Sequence, residues 1–323
     1  MQVGHLCLHA KSGTIDQRAL GIFMSLIVIV GQLHIEDTAY PGQKPVRGMA
    51  GGSALYAAMA ARLWSDEVGL ITRIGQDFPA EYLEDLRRSG IRPEGVKQRT
   101  GATMAGRIQY DANGQRTYRM FTAKARRDQL TPQPSDLPEG WMAEAAGFHI
   151  ATRPPDHQHK WLQAIQGRTA FISLDSELPF IRSERRKFAA LLARVQAFFP
   201  SEEEARALMP AKDLEEVAEA IASLGPPIVG IKRGSQGIHL YDRRTQSHRK
   251  IPALDSEEAD ITGAGDSFCG GFLAGFVQHG DIWEAGWQGV ASASMAIESF
   301  GALHLLDRTT EQARKRLAGA RGA

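Results

Sequence analysis

The sequence predicts an α/β protein, a three-layer α/β/α domain around a mostly parallel sheet with a small β lid. Three observations predict it. Short, nearly continuous apolar runs recur along the chain, and such runs suit strands buried on both faces. Helical stretches separate them, and this alternation is the signature of a parallel sheet covered by helices. Two segments break the alternation with strand-like patterning of their own, which adds a second, smaller sheet.

At 323 residues the chain is long enough for one large core with an appendage. Hydrophobic residues make up 43% and charged residues 23%, an ordinary globular balance. Lys and Arg number 38 against 37 Asp and Glu. The net field that would steer a protein to nucleic acid or to an anionic membrane is therefore missing, and a small-molecule partner is expected. Two cysteines, Cys7 and Cys269, cannot build a disulfide framework and lack metal-ligand spacing, which points to a reducing, cytoplasmic setting.

In chain order, residues 1–23 read as an irregular extension. The apolar run Ile22 to Val30 is too short to span a bilayer and leads into polar residues without a small-residue cleavage site, so Leu26–Val30 is expected as the first core strand. Met24 directly precedes it and is the expected native start, giving a domain over 24–323. Gly31-Gln32-Leu33-His34-Ile35-Glu36-Asp37 follows. A carboxylate just past a strand's carboxyl end is well placed for substrate hydroxyls, although a solvated acidic pair reads the same way.

The lid segments are expected at about 36–50 and 102–122, the second turning at Tyr110-Asp111-Ala112-Asn113-Gly114-Gln115. Gly51-Gly52-Ser53-Ala54-Leu55-Tyr56 opens an alanine-rich helix over Ser53–Trp64. Its paired glycines either bring backbone close to a ligand or only make a turn. Strand Val68–Ile74 leads to Gly75-Gln76-Asp77-Phe78-Pro79, with Asp77 expected to cap the helix Ala80–Ser89.

Further strands are expected at Ala146–Ala151, Ala170–Leu174 and Val195–Phe199. The last runs into Pro200-Ser201-Glu202-Glu203-Glu204 and helix Glu202–Leu208, where acids in a first turn complement the helix dipole. Helix Leu214–Leu224 precedes strand Ile228–Ile231, which ends at Lys232-Arg233-Gly234-Ser235-Gln236-Gly237, either a tight loop beside a nucleotide or a hairpin turn. Near the end, Ala291–Phe300 reads as a helix of small residues.

The most specific pattern is Asp260-Ile261-Thr262-Gly263-Ala264-Gly265-Asp266. A helix follows, with Phe268, Phe272 and Phe276 four apart and Gly270, Gly271 and Gly275 allowing close packing. Small residues at 263–265 let N–H groups at a helix N-terminus form a nest for a transferring phosphoryl group. Asp266 then reaches an acceptor hydroxyl as its base, and phosphoryl transfer asks for little beyond such positioning and charge stabilisation. The plainer alternative is a tight turn whose aspartate only caps the helix. The length of the run and the anchored helix favour the chemical reading.

From about Leu26 to Ala318 the sequence resembles the ribokinase-like carbohydrate kinases, also called the phosphofructokinase B family. The run at 260–266 is similar to the family signature Asp-Thr-x-Gly-Ala-Gly-Asp, with Ile261 replacing the threonine and expected to point away from the chemistry. The resemblance implies transfer of the γ-phosphoryl group of ATP to a hydroxyl of a small carbohydrate-like molecule. Asp266 is then the catalytic base, and Gly263, Ala264 and Gly265 the anion hole.

The resemblance also implies that Gly51 and Gly52 contact substrate and flex as the lid closes, and that Glu36, or failing it Asp37, holds substrate hydroxyls. Tyr56 stands where sugar kinases often keep asparagine, so the pocket is expected to differ from a ribose pocket. Ser201 and Glu204 fall on the family's Asn-x-x-Glu segment, which organises Mg2+ and phosphate through water; serine here replaces the asparagine. Lys232, Gly234, Gly237 and Thr262 are expected at the nucleotide, and Asp260 at a site for a monovalent cation, K+. Lid sheets of this type pair into homodimers in the family.

Within the enzyme class the alternative is a nucleoside kinase, its base stacked on Tyr56, Tyr110, Tyr118 or Phe121. Arg107, Arg119, Arg153 and Arg182 either bind an anionic substrate group or sit in solvent. A non-catalytic sensor is a further alternative, opposed by the intact Asp266 and glycine run. A nicotinamide-linked dehydrogenase is disfavoured because no Gly-x-Gly-x-x-Gly follows the first strand.

Overall fold

The computed structural model describes residues 25–112, 116–167 and 170–321. The expected N-terminal extension and the hairpin tip at 113–115 lie outside the described residues. In chain order the elements are β1 (Leu26–Val30), β2 (His34–Ala39), β3 (Val46–Gly51), α1 (Ser53–Arg62), β4 (Val68–Gly75), α2 (Ala80–Arg88), β5 (Val96–Arg99), β6 (Ala105–Tyr110) and β7 (Arg116–Met120). There follow α3 (Lys124–Gln129), α4 (Trp141–Glu144), β8 (Ala145–Ile150), α5 (Pro155–Ala164), β9 (Phe171–Leu174), α6 (Leu178–Leu192), β10 (Ala197–Phe198), α7 (Glu202–Leu208) and α8 (Leu214–Ser223). The chain ends with β11 (Ile228–Lys232), β12 (Ile238–Asp242), β13 (Ser247–Ile251), α9 (Ala264–His279), α10 (Ile282–Ala296) and α11 (Thr310–Arg321).

The large sheet has the order β13-β12-β11-β10-β9-β8-β1-β4-β5. Its strands run parallel from β5 through β11, and β12 and β13 are antiparallel. A separate sheet has the order β3-β2-β6-β7, with β2 and β6 parallel at its centre and an antiparallel strand on each side. The α/β class with a mostly parallel sheet is therefore as expected.

β1 shows why continuous apolar runs mark the sheet. Leu26, Val28 and Val30 pack on one face against α5, α6, α7 and α8, while Ile27 and Ile29 pack on the other against α1, α9 and α10. Successive side chains of a strand point to opposite faces, so a strand covered twice must be apolar throughout. On α9, Phe268 and Phe272 pack against Phe199, and Phe276 packs on Phe171 at 4.1 Å between centroids with the rings tilted by 31°. A Cβ on Gly270 would lie 1.9 Å from the Ala57 carbonyl oxygen, so glycine lets α9 press backbone to backbone on α1.

The structure also departs from the sequence reading. α10 runs from Ile282 to Ala296 rather than Ala291–Phe300, because Asp281 caps it by accepting from the N–H groups of Trp283 (2.7 Å) and Glu284 (3.0 Å). Asp77 does not cap α2. Its Oδ1 accepts from Thr103 N–H at 2.6 Å and from the Thr103 hydroxyl at 2.7 Å, tying the end of β4 to the start of the small-sheet segment.

Candidate active site

The carboxyl ends of β1, β8, β9, β10 and β11 lie along one edge of the large sheet, where ligands of open α/β sheets bind. A cavity of about 520 Å³ occupies that edge and extends beneath the small sheet. Its lining brings together Glu36, Gly52, Tyr56, Ser201, Glu204, Lys232, Gly234, Thr262, Gly263, Ala264, Gly265 and Asp266. Residues far apart in sequence thus converge because each follows a strand end or begins a helix there.

At the centre, Gly263 adopts the left-handed conformation (φ 77°) as the N-cap of α9. Its Cα faces the ring of Tyr56, where a Cβ would meet the ring at 2.2 Å. A first helical turn leaves its N–H groups without intrahelical partners. Here the Ala264 N–H makes only a long 3.4 Å contact to Ile261 O, and among the described residues no acceptor faces the N–H groups of Gly265 and Asp266. These amides and the positive end of the helix dipole suit an anion.

Asp266, in the first turn of α9, is half-buried on the cavity wall. Burial and the nearby Asp175 carboxylate push its pKa up to about 7, against the pull of Lys232 and Arg116. Lys232 donates to both oxygens of Asp175, at 2.8 Å each. Burial disfavours the Lys232 ammonium, but Asp175 more than offsets this and holds it above the usual lysine range.

On the β1 side, Glu36 is 5% exposed. Its Oε1 lies 3.3 Å from His34 Nδ1, and His34 Nε2 lies 2.9 Å from Gln32 Oε1. The Tyr118 hydroxyl of β7 also reaches His34 Nδ1 at 2.8 Å. Gly51 supports Glu36, since a Cβ there would fall 2.1 Å from Glu36 Oε2. On the β10–β11 side, Glu204 accepts from Ser201 N–H (2.9 Å) and the Ser176 hydroxyl (2.8 Å) through Oε2. No protein donor engages its Oε1 among the described residues.

The pfkB family carbohydrate kinase model matches residues 20–308. The chain belongs to this family. It is an ATP-dependent kinase, a phosphotransferase with an alcohol group as acceptor. A cytidine kinase of Thermococcus kodakarensis is 30% identical over 276 residues, spanning 85% of this chain and 97% of that protein. A putative ribokinase II of E. coli, solved with ATP and Mg2+, superposes with a TM-score of 0.76 at 20% identity, covering 91% of this chain and 99% of that one. A nucleoside kinase of Methanocaldococcus jannaschii gives 0.74 at 20% identity, over 93% and 100%. The likeness to these two structures is one of fold.

Within this pfkB-family site several expected residues sit elsewhere. Asp37 does not line the cavity: Arg107 donates to it at 2.9 Å and Gly48 N–H at 3.2 Å, so it braces the small sheet. Gly51 also lies outside the lining and acts through Glu36. Gly237 (φ 78°) closes the loop after β11, where a Cβ would strike the Ile251 carbonyl at 2.0 Å. Asp260 is 1% exposed behind the wall; its Oδ1 accepts from the Tyr40 hydroxyl (3.0 Å) and Thr262 N–H (2.9 Å), and its Oδ2 has no partner among the described residues.

Ile261, expected to point away, instead borders the cavity and is 41% exposed. Tyr110 is not available for stacking on a ligand, since it lies face to face with Tyr40 at 4.5 Å and bonds Thr262 Oγ1. Phe121 sits under Arg107 at 5.7 Å. Arg182 pairs with Glu203 at 3.1 Å on the surface. Glu298, at the end of the stretch read as a helix of small residues, is held by Arg308 and Arg316.

Sequence reading missed Asp175, Arg116 and Arg127, all in the lining. Asp175 carried the same signal as Glu36, an acid at the carboxyl end of a buried strand. Arg116 and Arg127 carried none, because surface-patterned segments are rich in arginine wherever they lie.

Proposed function

We propose that this kinase deprotonates the acceptor hydroxyl with Asp266 and stabilises the transferred phosphoryl group with the amides of Gly263, Ala264 and Gly265. The observation that carries this reading is the Asp266 carboxylate at the α9 N-terminus, whose amides are free or only weakly engaged among the described residues, in one cavity with Glu36. The acceptor oxygen forms a bond to the γ-phosphorus, its proton passes to Asp266, and the bond to the β-phosphate oxygen breaks, releasing ADP. One hydrogen bond to the developing charge is worth roughly 10²–10³ in rate by analogy with oxyanion holes.

The sheet order supports an assignment of ends. Ser201, Glu204, Lys232 and Gly234 follow β10 and β11 and serve the nucleotide, while Gln32, Glu36 and Gly52 follow β1 and β3 and serve the acceptor. Gly237 keeps the nucleotide loop tight, Gly51 sets the place of Glu36, and Thr262 and Tyr56 form the wall behind the phosphates.

Glu204 fits a water-mediated Mg2+ site, since it lines the cavity and no donor among the described residues engages its Oε1. Bound Mg2+ supplies neutralisation of the β- and γ-phosphate charge. The unpartnered, buried Asp260 Oδ2 fits a monovalent cation such as K+. Pairing of two small sheets into a homodimer is supported by the edge position of β7 and by Phe121 beyond it, 51% exposed. A nucleoside acceptor is the second reading, favoured by the Tyr118 ring over His34 (6.1 Å between centroids) on the acceptor side and by the cytidine kinase relative.

The test is turnover of a sugar and nucleoside panel by wild type and Asp266→Asn. The variant is expected to bind ATP nearly normally and to lose orders of magnitude in kcat; near-normal turnover of a good acceptor removes Asp266 from the role.

A further inference from the structure

Some arginines elsewhere in the molecule hold carboxylates, as Arg73 holds Asp136 at 2.6 Å, Arg107 holds Asp37 at 2.9 Å and Arg182 holds Glu203 at 3.1 Å, while others, such as Arg62 and Arg185, donate to backbone carbonyls. Arg127 and Arg153 both line the active-site cavity, and among the described residues neither has a carboxylate at salt-bridge distance. Arg153 donates its Nε to the Thr152 carbonyl at 2.6 Å, and among the described residues no acceptor engages its two terminal nitrogens. The Nε of Arg127 is buried and has no partner among the described residues.

Arg127 and Arg153 are each half-buried, and a guanidinium taken partly out of water gains from an anionic partner. Burial pushes Arg153 down to about 10, Glu177 draws it back up, and Arg127 works against it as a like charge. Glu177 offers a single carboxylate against two guanidiniums. Asp128, also in the lining, is engaged by Lys124 at 3.3 Å.

The fold fixes which end of the cavity this is. Arg153 follows β8, the neighbour of β1, whereas the residues assigned to the nucleotide follow β10 and β11. Arg127 belongs to α3, and its carbonyl accepts from the Thr131 hydroxyl (2.9 Å), which in turn accepts from Gln32 just past β1 at 3.4 Å. Both arginines thus stand on the β1 side of the cavity, the side assigned to the acceptor.

We infer that the acceptor is an anionic sugar, whose carboxylate or phosphate docks on Arg127 and Arg153 while Glu36 takes its middle hydroxyls and the reacting hydroxyl faces Asp266. The planar fork of arginine pairs both kinds of oxyanion through two parallel hydrogen bonds. This rests on the assignment of Asp266 as base and of the two cavity ends.

The experiment offers ATP and Mg2+ with three acceptor arms: sugar acids such as gluconate and ribonate, ribose and fructose phosphates, and the neutral partners ribose, fructose and cytidine. One charged arm is expected to exceed its neutral counterpart in kcat/KM by roughly 10–100-fold, the worth of charge-assisted hydrogen bonds. Arg153→Gln and Arg127→Met are each expected to lose most of that preference through acceptor KM, with KM for ATP within about twofold, and Arg127→Lys to recover part of it. Binding of the same acceptors, followed by calorimetry with a non-hydrolysable ATP analogue, gives the same reading for any variant too slow to assay.

A neutral acceptor preferred by wild type, equal losses for ATP and acceptor in the variants, or no binding of any charged acceptor would each overturn the anionic pocket while leaving Asp266 as base. Conversely, a charged acceptor turned over at full rate by Asp266→Asn would overturn the base and leave the pocket standing.

Discussion

Tyr110 of the small sheet and Thr262 of the loop entering α9 share a hydroxyl–hydroxyl hydrogen bond of 2.9 Å, and the residue just past β2 bonds beside it. Tyr40, stacked on Tyr110, donates to Asp260 Oδ1 at 3.0 Å and accepts from Ile261 N–H at 3.1 Å. The small sheet is thereby latched to the loop that shapes the anion nest. The small-sheet side and the loop that shapes the nest are thus held as one hydrogen-bonded unit in this structure.

Removing the latch hydroxyls tests that coupling. Each bond is worth about 1 kcal/mol net. Tyr40→Phe and Tyr110→Phe are expected to raise the acceptor KM about 3–10-fold each, with the global unfolding midpoint little changed. Kinetic constants equal to wild type in the double variant would show that the sheet closes without the latch.

Backbone approach should be as demanding as the chemistry. Gly270→Ala would drive a methyl group to 1.9 Å from the Ala57 carbonyl, and relief requires α9 to lift off α1. A loss of ~2–3 kcal/mol is expected by chemical denaturation. Gly280→Ala, at φ 66° but with open space around its Cα, should cost only the left-handed strain, about 1 kcal/mol. Equal costs would place the effect in backbone conformation rather than helix contact.

How much of this was legible in the sequence followed from burial. β1 matched its apolar run to the residue, and α7 ran over Glu202–Leu208 as read. β13, reading Ser-His-Arg-Lys-Ile, escaped because an edge strand shows its polar residues to water. α6 escaped because Arg185, Arg186 and Lys187 interrupt the apolar face of Ile181, Phe188 and Leu191. At the site, the 260–266 run and Glu36 were readable because strand ends and glycine runs mark positions on this fold. The partners of those residues were not: Asp37 and Glu36 are adjacent in sequence, and only the pleat of β2 decides which one faces the cavity.

The pH dependence follows from Asp266. As the proposed base it must be ionised, so kcat/KM is expected to rise with pH through a limb near 7, well above the ordinary carboxylate value of 3.8. Stability has the opposite sign. Between 3.8 and about 7 the folded chain holds a proton that the unfolded chain has lost, so this group's contribution falls as pH rises across that window. Asp266→Asn should therefore raise the melting temperature at pH 8 by ~2–5 °C and change it little at pH 4. A variant destabilised equally at both values would mean that the aspartate is not strained by its site.

The Lys232–Asp175 pair makes the sharpest test, because its two members act on Asp266 with opposite signs. Asp175 raises the Asp266 pKa and Lys232 lowers it. Asp175→Asn should move the acidic limb of kcat/KM below the wild-type position, whereas Lys232→Met, leaving Asp175 bare, should move it above. Each single change also strands a mostly buried partner, the Asp175 and Lys232 side chains being 4% and 17% exposed. Removing one member of a buried pair costs ~3–5 kcal/mol, and the double variant should recover part of that loss because it strands neither. If both single variants shifted the limb in the same direction, the pair would be acting through rearrangement of the cavity wall rather than through charge, and the electrostatic account of Asp266 would fail with it.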